Sequence, residues 1–495
     1  DVLKGTTLTN TYTYDSYGNV TTEVNDYGGG LKTTTTNTIT NSTSTLYVLG
    51  IISTKSVKKE RGGSSVTLKD VYTFNALYKP ITKASSYNDN LASSKELTYD
   101  GFGNVTQEKT KAYTGTWLTT QYQYDAAGRF MTKKINPLSQ STDYVYAAAT
   151  ATLASEKDFK NNTISYEYDG WQRLKKATNP DGIVKNITIE WQPAGSDRLY
   201  VKKEEYTGKP IERTYYDALN RKARSSVIGF DGAEVITDYA YDVHGRLIKT
   251  SLPYKTGSPL WNVTTYDNYD RATSIAEAAG ATTTISYSGT SVTSSKNSVS
   301  TTKTTDASGV LTSVVNPAGT ISYTYKPDGQ AASVTAPGGA TTTFTYDVFG
   351  RQTQITDPSA GTVSYTYDAA GNQNKITDAN AKSVSSTFDA YNRLITKTTV
   401  EFTSTYTYNT DGRLTTISNN NGTSKSFTYD ALGRVTKTTE TVGSETYQVD
   451  YTYTNGKVTK TVHAPMGYTI NYLYNSYGYL YKLTDVNNVA LKTVN

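Results

Sequence analysis

An aspartate that directly follows a tyrosine is the potentially reactive group that this chain repeats most often. Two carboxylates placed on either side of a bond can act as general acid and general base. In the clearest run, however, the Tyr-Asp, Phe-Asp or Tyr-Asn pairs begin at 346, 367, 388, 408 and 429, which are steps of 21, 21, 20 and 21 residues. A catalytic residue is needed once and a turn residue in every unit, so the spacing favours a structural role for these aspartates.

Few other side chains offer reactive chemistry. Cysteine is absent, which excludes disulfides, a thiol nucleophile and cysteine-based metal sites. The only two histidines, His244 and His463, belong to no His-x-x-x-His pattern and have no neighbouring glutamate. His244 lies inside a predicted turn, where we expect it to be exposed. We therefore expect no catalytic residue, no cofactor and no metal site.

Basic and aromatic side chains recur with the aspartates, and each admits two interpretations. The tyrosines could bind sugars or nucleobases, or they could pack between strands with a polar tip. Trp171, at a turn position, could mark a contact surface or pack locally. The recurring arginines could form an anion-binding ladder, or they could pack across tyrosine rings and pair with aspartates. Repetition favours the packing role for Arg129, Arg246, Arg351, Arg413 and Arg434.

The spacing within each repeat predicts a β-hairpin. Tyr122 and Tyr124 are two residues apart, so they share one face of a strand. Asp125 suits the first position of a type I turn, Gly128 can adopt the positive φ of its fourth position, and Arg129 begins the returning strand. The predicted structural signature comprises Tyr14, Asp15, Gly18, Tyr124, Asp125, Gly128, Arg129, Tyr168, Asp169, Tyr241, Asp242, Gly245, Arg246, Tyr346, Asp347, Gly350, Arg351, Tyr367, Asp368, Gly371, Tyr429, Asp430, Gly433 and Arg434.

A second turn follows about 12 residues after each tyrosine, as at Asn179-Pro180 and Asp357-Pro358, where Asn or Asp followed by Pro favours a type I turn. Each unit is therefore predicted to be strand, turn, strand, turn, with strands of roughly 6–8 residues. Residues 28–70 and 185–213 lack a clean Tyr-Asp pair, so they contain either longer loops or diverged units.

The composition agrees with an all-β chain. Only 36% of the residues are hydrophobic, but 44 are Tyr and 37 are Gly, a composition with too many aromatics for a disordered chain. The formal net charge is +5 without a block of like charge, so we expect no nucleic-acid partner. No apolar run is long enough for a membrane helix. Because the chain starts at Asp1, we expect a processed product or one piece of a longer polypeptide.

Consecutive hairpins of this kind should pair into one antiparallel ribbon that coils because strands twist. With roughly three dozen strands expected from the repeat count, a closed or spiral wall would surround a cavity. An open solenoid is an alternative. A propeller is less compatible, because its blades need about 40 residues and this period is half that length.

The repeats at 365–371 and 427–435 resemble those of the Rhs/YD-repeat family, which also forms the shells of teneurins and insecticidal Tc toxins. The resemblance covers most of residues 10–480. It implies a β-strip wound around a hollow interior, which in bacterial members encloses a C-terminal toxin and in animal relatives serves adhesion. Bacterial shells also carry an Asp-Pro-x-Gly self-cleavage motif. Asp357-Pro358 occupies an ordinary turn position instead, and we identify no toxin, autoprotease or plug domain.

We therefore expect residues 1–495 to be one continuous segment of an all-β hollow shell, built from antiparallel β-hairpins and forming part of a larger wall. The expected function is non-enzymatic enclosure of a toxin or other polypeptide cargo, in a bacterial protein that is secreted or on the cell surface. Expected partners are the cargo and missing parts of the same shell, with secretion machinery or a cell-surface ligand as further candidates, and no membrane span. Two alternatives remain: an extracellular adhesion or carbohydrate-binding module and, more distantly, a repeat-built carbohydrate-active enzyme.

Overall fold

The computed structural model describes residues 5–44, 46–193, 195–278 and 280–494. Within these ranges every regular element is a strand and no residue is helical, so no helix there could cross a bilayer. The strands form one 43-stranded sheet. The predicted all-β strip of antiparallel hairpins is therefore confirmed.

The strands follow one another in chain order. The first are β1 (Thr9–Tyr14), β2 (Val20–Gly28), β3 (Leu31–Ser42), β4 (Val48–Arg61), β5 (Ser64–Phe74), β6 (Pro80–Tyr87), β7 (Asn90–Tyr99), β8 (Val105–Ala112) and β9 (Leu118–Tyr124). They continue with β10 (Met131–Ile135), β11 (Ser141–Tyr146), β12 (Leu153–Asp158), β13 (Thr163–Tyr168), β14 (Leu174–Thr178), β15 (Val184–Trp191), β16 (Tyr200–Tyr206), β17 (Glu212–Tyr216), β18 (Lys222–Ile228), β19 (Glu234–Tyr241), β20 (Leu247–Ser251), β21 (Trp261–Tyr266) and β22 (Ala272–Ala276).

The second half of the chain continues in the same way. Its strands are β23 (Thr282–Ser288), β24 (Ser291–Lys296), β25 (Val299–Thr305), β26 (Leu311–Asn316), β27 (Gly319–Tyr325), β28 (Ala331–Thr335), β29 (Thr341–Tyr346), β30 (Gln352–Asp357), β31 (Gly361–Tyr367), β32 (Gln373–Thr377), β33 (Ser383–Phe388) and β34 (Leu394–Thr398). The last are β35 (Thr403–Tyr408), β36 (Leu414–Asn419), β37 (Ser424–Tyr429), β38 (Val435–Val442), β39 (Glu445–Thr454), β40 (Lys457–Ala464), β41 (Tyr468–Tyr474), β42 (Leu480–Thr484) and β43 (Ala490–Thr493).

Neighbouring strands pair in the order of the chain. β29 pairs antiparallel with β30, β30 with β31, and β31 with β32. Because strand direction alternates, turns after odd-numbered strands lie along one margin of the sheet and turns after even-numbered strands along the other. We call the first margin, with turns such as 347–350 and 368–371, the Tyr-Asp edge. The second margin, with turns such as 357–360 and 378–381, is the opposite edge.

The two stretches without a clean repeat signature are mostly strand, and 185–213 also contains a longer connection, between Trp191 at the end of β15 and Tyr200 at the start of β16. Residues 28–70 contain most of β3, β4 and β5, which are 12, 14 and 11 residues long. Residues 185–213 contain β15 and β16 and lead into β17. The predicted strand length of 6–8 residues is too narrow, because the observed strands range from 4 to 14 residues. Longer hairpin strands therefore replace the signature in 28–70, whereas in 185–213 the strands keep 8 and 7 residues and the connection between them is longer.

The chain forms two compact units, each assembled from two separated stretches. One unit comprises residues 1–122 and 283–403, and the other comprises residues 123–282 and 404–495. Most strand positions are half-buried, and the buried hydrophobic side chains of the described residues are those of Val66, Tyr87 and Val201. Ladder hydrogen bonds and cross-strand side-chain pairs must therefore carry much of the stability.

Candidate functional site: the turn lattice and the seam

The loop at residues 347–351 shows how the repeated aspartate works. The Asp347 N–H donates to the Arg351 carbonyl at 2.8 Å, and the Gly350 N–H donates to the Asp347 carbonyl at 3.0 Å. Gly350 has a φ of 75°, which an L residue adopts only with strain. One carboxylate oxygen of Asp347 accepts the N–H groups of Phe349 and Arg351, each at 2.9 Å. The aspartate thus satisfies loop donors that would otherwise lack a partner inside the hairpin.

The other signature loops repeat this geometry. Each first-position residue, Asp or Asn, accepts the N–H of the residue four positions later, and its backbone carbonyl accepts the N–H three positions later. The closing bonds are Gly18 to Asp15, Gly128 to Asp125, Gln172 to Asp169, Gly245 to Asp242, Gly371 to Asp368, Gly412 to Asn409 and Gly433 to Asp430. The aspartates are therefore dispersed over successive loops as turn residues.

The arginine after the loop joins one hairpin to the next. Arg351 donates to the second carboxylate oxygen of Asp347 through Nε and Nη2, both at 2.7 Å. Its guanidinium carbon lies 4.4 Å from the centre of the Tyr367 ring in the next unit. Planar guanidinium groups suit both contacts at once. The same pairing and stacking recur at Arg246 with Asp242 and Tyr266, and at Arg434 with Asp430 and Tyr453.

The signature tyrosine returns a hydrogen bond to the preceding unit. The Tyr367 hydroxyl donates to the Gln352 carbonyl at 2.7 Å. Gln352 is paired with Tyr346, whereas Gln354 is paired with Thr345, so a one-residue bulge follows at Thr353. The carbonyl that accepts the hydroxyl therefore lies beside the irregular part of the ladder. Equivalent bonds join Tyr346 to Ala331, Tyr241 to Lys222 and Tyr429 to Leu414.

Partners in the loop hold the pKa values of three of these aspartates below the ordinary value. Burial raises the pKa of Asp347, but the hydrogen bonds and positive charge of Arg351 outweigh it and hold that pKa below its ordinary value. The pKa values of Asp389 and Asp430 are lowered by the corresponding arginines, also against the effect of burial. A depressed pKa suits a permanent ion-pair partner.

Three signature loops depart from this pattern. The Asp125 N–H donates to the Phe130 carbonyl instead of that of Arg129, so the loop is one residue longer. Arg129 is largely exposed, and its Nη2 lies 3.4 Å from the Asp125 carboxylate, which is a longer contact than Arg351 makes with Asp347. The Arg129 guanidinium stacks on the adjacent Phe130 ring. In the loops that begin at Asp15 and Asp368, an asparagine takes the arginine position and donates to the carboxylate.

The remaining sequence candidates take separate places. His244 is exposed in the 242–245 turn, and the His463 ring stacks on Tyr468 with ring centres 4.4 Å apart. Asp357 accepts the N–H of Ser359 at 2.9 Å and the hydroxyl of Thr342 at 2.6 Å within an ordinary turn of the opposite edge. The described residues contain no cluster of three or more His, Cys, Asp or Glu side chains that could hold a metal.

In the first unit, turns on the Tyr-Asp edge of the later stretch (residues 283–403) contact turns on the opposite edge of the earlier stretch (residues 1–122). Arg61 donates to Asp306 at 2.6 Å. The Tyr87 hydroxyl donates to Asp328, and its pKa is raised by burial and by that carboxylate. We call such contacts between hairpin ends the seam.

The second unit has a seam of the same kind. Lys160 pairs with Asp411, and the Asn162 side chain donates to the Ala431 carbonyl at 3.0 Å. The Tyr479 hydroxyl donates to the Ile228 carbonyl at 2.9 Å. Across both units the residues joined by seam hydrogen bonds are 241 to 270 positions apart in the chain. The seam therefore joins distant stretches of the ribbon through the ends of their hairpins.

Sequence reasoning missed the seam residues, because each looks like an ordinary charged or aromatic residue near a turn. It also missed lysines that take the place of the arginine. Lys79 lies 5.5 Å from the Tyr99 ring, and Lys457 lies 4.6 Å from the Tyr474 ring. A search for any cation just after a Tyr-Asp-like turn would have found these lysines.

Comparisons with known proteins agree with this geometry. The profile of the RHS Repeat family matches residues 327–362, 353–383 and 408–445. The crystal structure of TcdB2-TccC3 aligns with 96% of this chain at 10% identity and a TM-score of 0.60. TcdB2-TccC3 without its hypervariable C-terminal region aligns with 97% of the chain at 9% identity and a TM-score of 0.50.

These likenesses concern the fold alone. The chain spans 39% and 43% of the two matched chains, so it corresponds to about two fifths of each. No curated protein matches the sequence.

Proposed function

Because this chain is an Rhs/YD-repeat protein, we propose that it is a non-catalytic wall segment of a shell that encloses a polypeptide cargo. The resemblance to bacterial members suggests a toxin as that cargo. In this proposal the protein is secreted by a bacterium, and further shell segments complete the enclosure. The cargo is kept from its surroundings until release.

The seam is the observation that carries this proposal. A wall that retains a polypeptide needs its ribbon joined to itself at the hairpin ends, where no ladder hydrogen bonds exist. Asp306, Asp328 and Asp411, at Tyr-Asp turns, meet Arg61, Tyr87 and Lys160 at the opposite edge. Ion pairs and hydrogen bonds of this kind make a specific join between two stretches. An adhesion or carbohydrate-binding module that used only one face of the sheet would not require contacts between its hairpin ends.

The side chains on the strands suit a wall that contacts a protein without trapping it. The central repeats are rich in Ser and Thr, and cross-strand hydroxyl pairs such as Thr345 with Thr353 and Thr324 with Ser333 lie 3.1 and 2.7 Å apart. A surface dominated by hydroxyl groups offers little apolar area to a partly folded cargo. Enclosure would then prevent aggregation of the cargo without holding it tightly.

The proposal is tested by measuring whether the native protein protects a second, enclosed polypeptide from a protease. The protein is purified from its producing cells under native conditions, treated with trypsin, and then unfolded for intact-mass measurement. We expect a second defined polypeptide to survive the protease in the native state and to be digested after unfolding. If no polypeptide other than the wall is protected, the enclosure proposal is wrong.

A seam variant adds a second readout. Tyr87→Ala removes the contact with Asp328 and should make the enclosed polypeptide sensitive to trypsin while the wall remains folded by circular dichroism. Lys134→Ala, at an exposed strand position, is the matched control and should leave protection unchanged. Protection that persists in Tyr87→Ala, and is lost only on global unfolding, would show that this seam does not retain the cargo.

A further inference from the structure

A cavity of about 800 Å³ lies at the seam of the second unit. Gly208, in the turn after β16, forms one side of this cavity, and β40, β41 and neighbouring turns form the rest. A Cβ on Gly478 would overlap the Gly208 carbonyl, so the turns of the two stretches touch beside the cavity. The volume falls within the range of pockets that hold small molecules.

Two lysines of β40 line this cavity from one face of the sheet. Lys457 pairs with Thr454 and Lys460 pairs with Thr452, and a bulge at Thr459 takes up the extra residue. Because Thr452 and Thr454 are two residues apart on β39, both lysines lie on the same face. The bulge therefore brings two positive charges to one cavity.

Neither lysine has a carboxylate partner within the part of the chain that the structure describes. In most signature hairpins the loop aspartate binds the cation that follows it, as Asp347 binds Arg351. The loop before Lys457 is 455–456, which contains no acidic residue, and Lys457 donates to the Gly478 carbonyl instead. No Asp or Glu is among the described residues that line the cavity. The lining is therefore positively charged.

The surroundings of Lys457 disfavour its positive charge. Burial and the neighbouring charge of Lys209 lower the pKa of Lys457. An ion-paired lysine shows the opposite, because the hydrogen bond and charge of Asp70 raise the pKa of Lys83. An anion in the cavity would remove the imbalance at Lys457, since an opposite charge nearby stabilises the charged form.

Amide side chains line the same cavity. Asn455, Asn471 and Asn488 are among the lining residues. The Asn471 side chain is oriented by donating to the Asp485 carbonyl at 2.8 Å. Asparagine side chains both donate and accept hydrogen bonds, which suits the hydroxyl groups of a small polar molecule. The cavity thus offers cations for an anionic group and amides for a hydroxylated body.

We propose that this cavity binds a small phosphate monoester of the sugar-phosphate class, with Lys457 and Lys460 holding the phosphate group and the asparagine side chains contacting the hydroxylated body. A phosphate monoester carries a charge of about −1.5 to −2 at pH 7, which balances two lysines, whereas a carboxylate balances one. Lysine binds phosphate as a point charge. The inference goes beyond the wall function and does not depend on an enclosed cargo.

Isothermal titration calorimetry of the purified full chain tests the inference. Glucose 6-phosphate, glucuronate and glucose are compared at one ionic strength in a phosphate-free buffer. We expect glucose 6-phosphate to bind saturably at one site, about tenfold more tightly than glucuronate, and glucose to give no measurable binding. Inorganic phosphate should compete with glucose 6-phosphate. Hydrogen exchange at 206–210 and 455–460 should slow when glucose 6-phosphate is added, because both segments border the cavity.

Lysine variants test whether the binding takes place in this cavity. Lys457→Gln and Lys460→Gln should each weaken the binding of glucose 6-phosphate by about tenfold, whereas Lys460→Arg keeps the charge and should bind as the wild type does. Lys79→Gln is the matched control, since Lys79 also donates to a glycine carbonyl and stacks on a tyrosine ring, but in the first unit. Its affinity should equal that of the wild type.

Circular dichroism checks that each variant is folded. Lys460 is exposed, so Lys460→Gln remains a test even if the loss of the Gly478 contact unfolds Lys457→Gln. Three results would overturn the proposal: no saturable binding of glucose 6-phosphate, an unchanged affinity in Lys460→Gln, or glucuronate that binds as tightly as glucose 6-phosphate. Absence of a protected cargo in the earlier experiment would leave these expectations intact.

Discussion

At the scale of single residues, one chain of contacts recurs along the ribbon. An aspartate satisfies its own loop, an arginine binds that aspartate and stacks on the next tyrosine, and the tyrosine hydroxyl donates to a carbonyl of the previous unit. Each group thus serves two hairpins. Individual contacts of this kind contribute little, but their repetition fixes the spacing of successive hairpins.

Removing one tyrosine hydroxyl should loosen one hairpin. In Tyr367→Phe the Gln352 carbonyl loses its 2.7 Å donor, at a cost of about 1 kcal/mol, or roughly fivefold faster local hydrogen exchange. Exchange of the β30 and β31 amides, followed by mass spectrometry, measures the effect. Tyr391→Phe, at an exposed turn tip, is the control and should change exchange little. Equal effects in both variants would contradict the proposed role of the hydroxyl.

Acid should weaken the aspartate turns and spare the asparagine turn. The folded-state pKa values of Asp347, Asp389 and Asp430 lie below the ordinary value of 3.8. Their contribution to stability is therefore complete above about pH 4 and is lost as the pH falls through the lower, folded-state values. After correction for intrinsic rates, hydrogen exchange at these loops should accelerate below about pH 4.

The 409–413 turn is a natural control for this pH dependence. Asn409 accepts the Arg413 N–H at 2.9 Å without an ionisable carboxyl group. The protection of the 409–413 turn from hydrogen exchange should change less with pH over the same range. A uniform loss of protection at all four loops would instead indicate global unfolding.

At the scale of elements, the hairpin is a local product of turn chemistry. A type I turn is followed by a residue with positive φ, and a bulge then follows in the returning strand. Where the signature is missing, as in β3 to β5, longer strands maintain the pairing. Hairpin formation therefore depends on local residues, whereas the contacts at the hairpin tips differ from one loop to another.

Gly18 and Gly350 have similar backbone conformations. Alanine substitutions at these two positions therefore separate the free-energy cost of backbone strain in the turn from the cost of a clash at the seam. Gly18 has a φ of 84° and no heavy atom within 4 Å of a built Cβ, so Gly18→Ala should cost about 1 kcal/mol from backbone strain. Gly350 has a φ of 75°, and its Cβ would lie 3.1 Å from the Tyr87 ring. We expect Gly350→Ala to accelerate local hydrogen exchange more than Gly18→Ala does. Equal effects would mean that the Tyr87 ring moves aside freely.

At the scale of the whole molecule, ladder pairing alone would make the ribbon a quasi-one-dimensional array in which each hairpin depends on its neighbours. The seam adds contacts between residues 241 to 270 positions apart. Local opening in one stretch should therefore accelerate hydrogen exchange in a distant stretch of the same unit. This coupling is absent from a simple linear solenoid.

A substitution in one stretch of the second unit should expose the other stretch. A Cβ on Gly478 would overlap the Gly208 carbonyl, and a backbone overlap of this kind typically costs about 1–3 kcal/mol, or roughly 5- to 150-fold in local opening. Gly478→Ala should therefore accelerate hydrogen exchange at 206–210. Gly443→Ala, also with positive φ but with no heavy atom near the built Cβ, should leave that segment unchanged. Unchanged exchange at 206–210 in Gly478→Ala would show that the seam does not couple the two stretches.

Residue types and spacing predicted the hairpin and the strand content, and they carried the resemblance to the family. They could do so because a type I turn with a following glycine and the two-residue alternation of a strand are local properties. The sequence alone thus determined that Asp347, Gly350 and Arg351 share one loop. Only the tertiary structure decided that Arg351 binds Asp347 and Tyr367 together, that Arg129 departs from this arrangement, and that Tyr87 meets Asp328. Contacts across about 250 residues depend on the twist accumulated over many strands, and no local pattern encodes that sum.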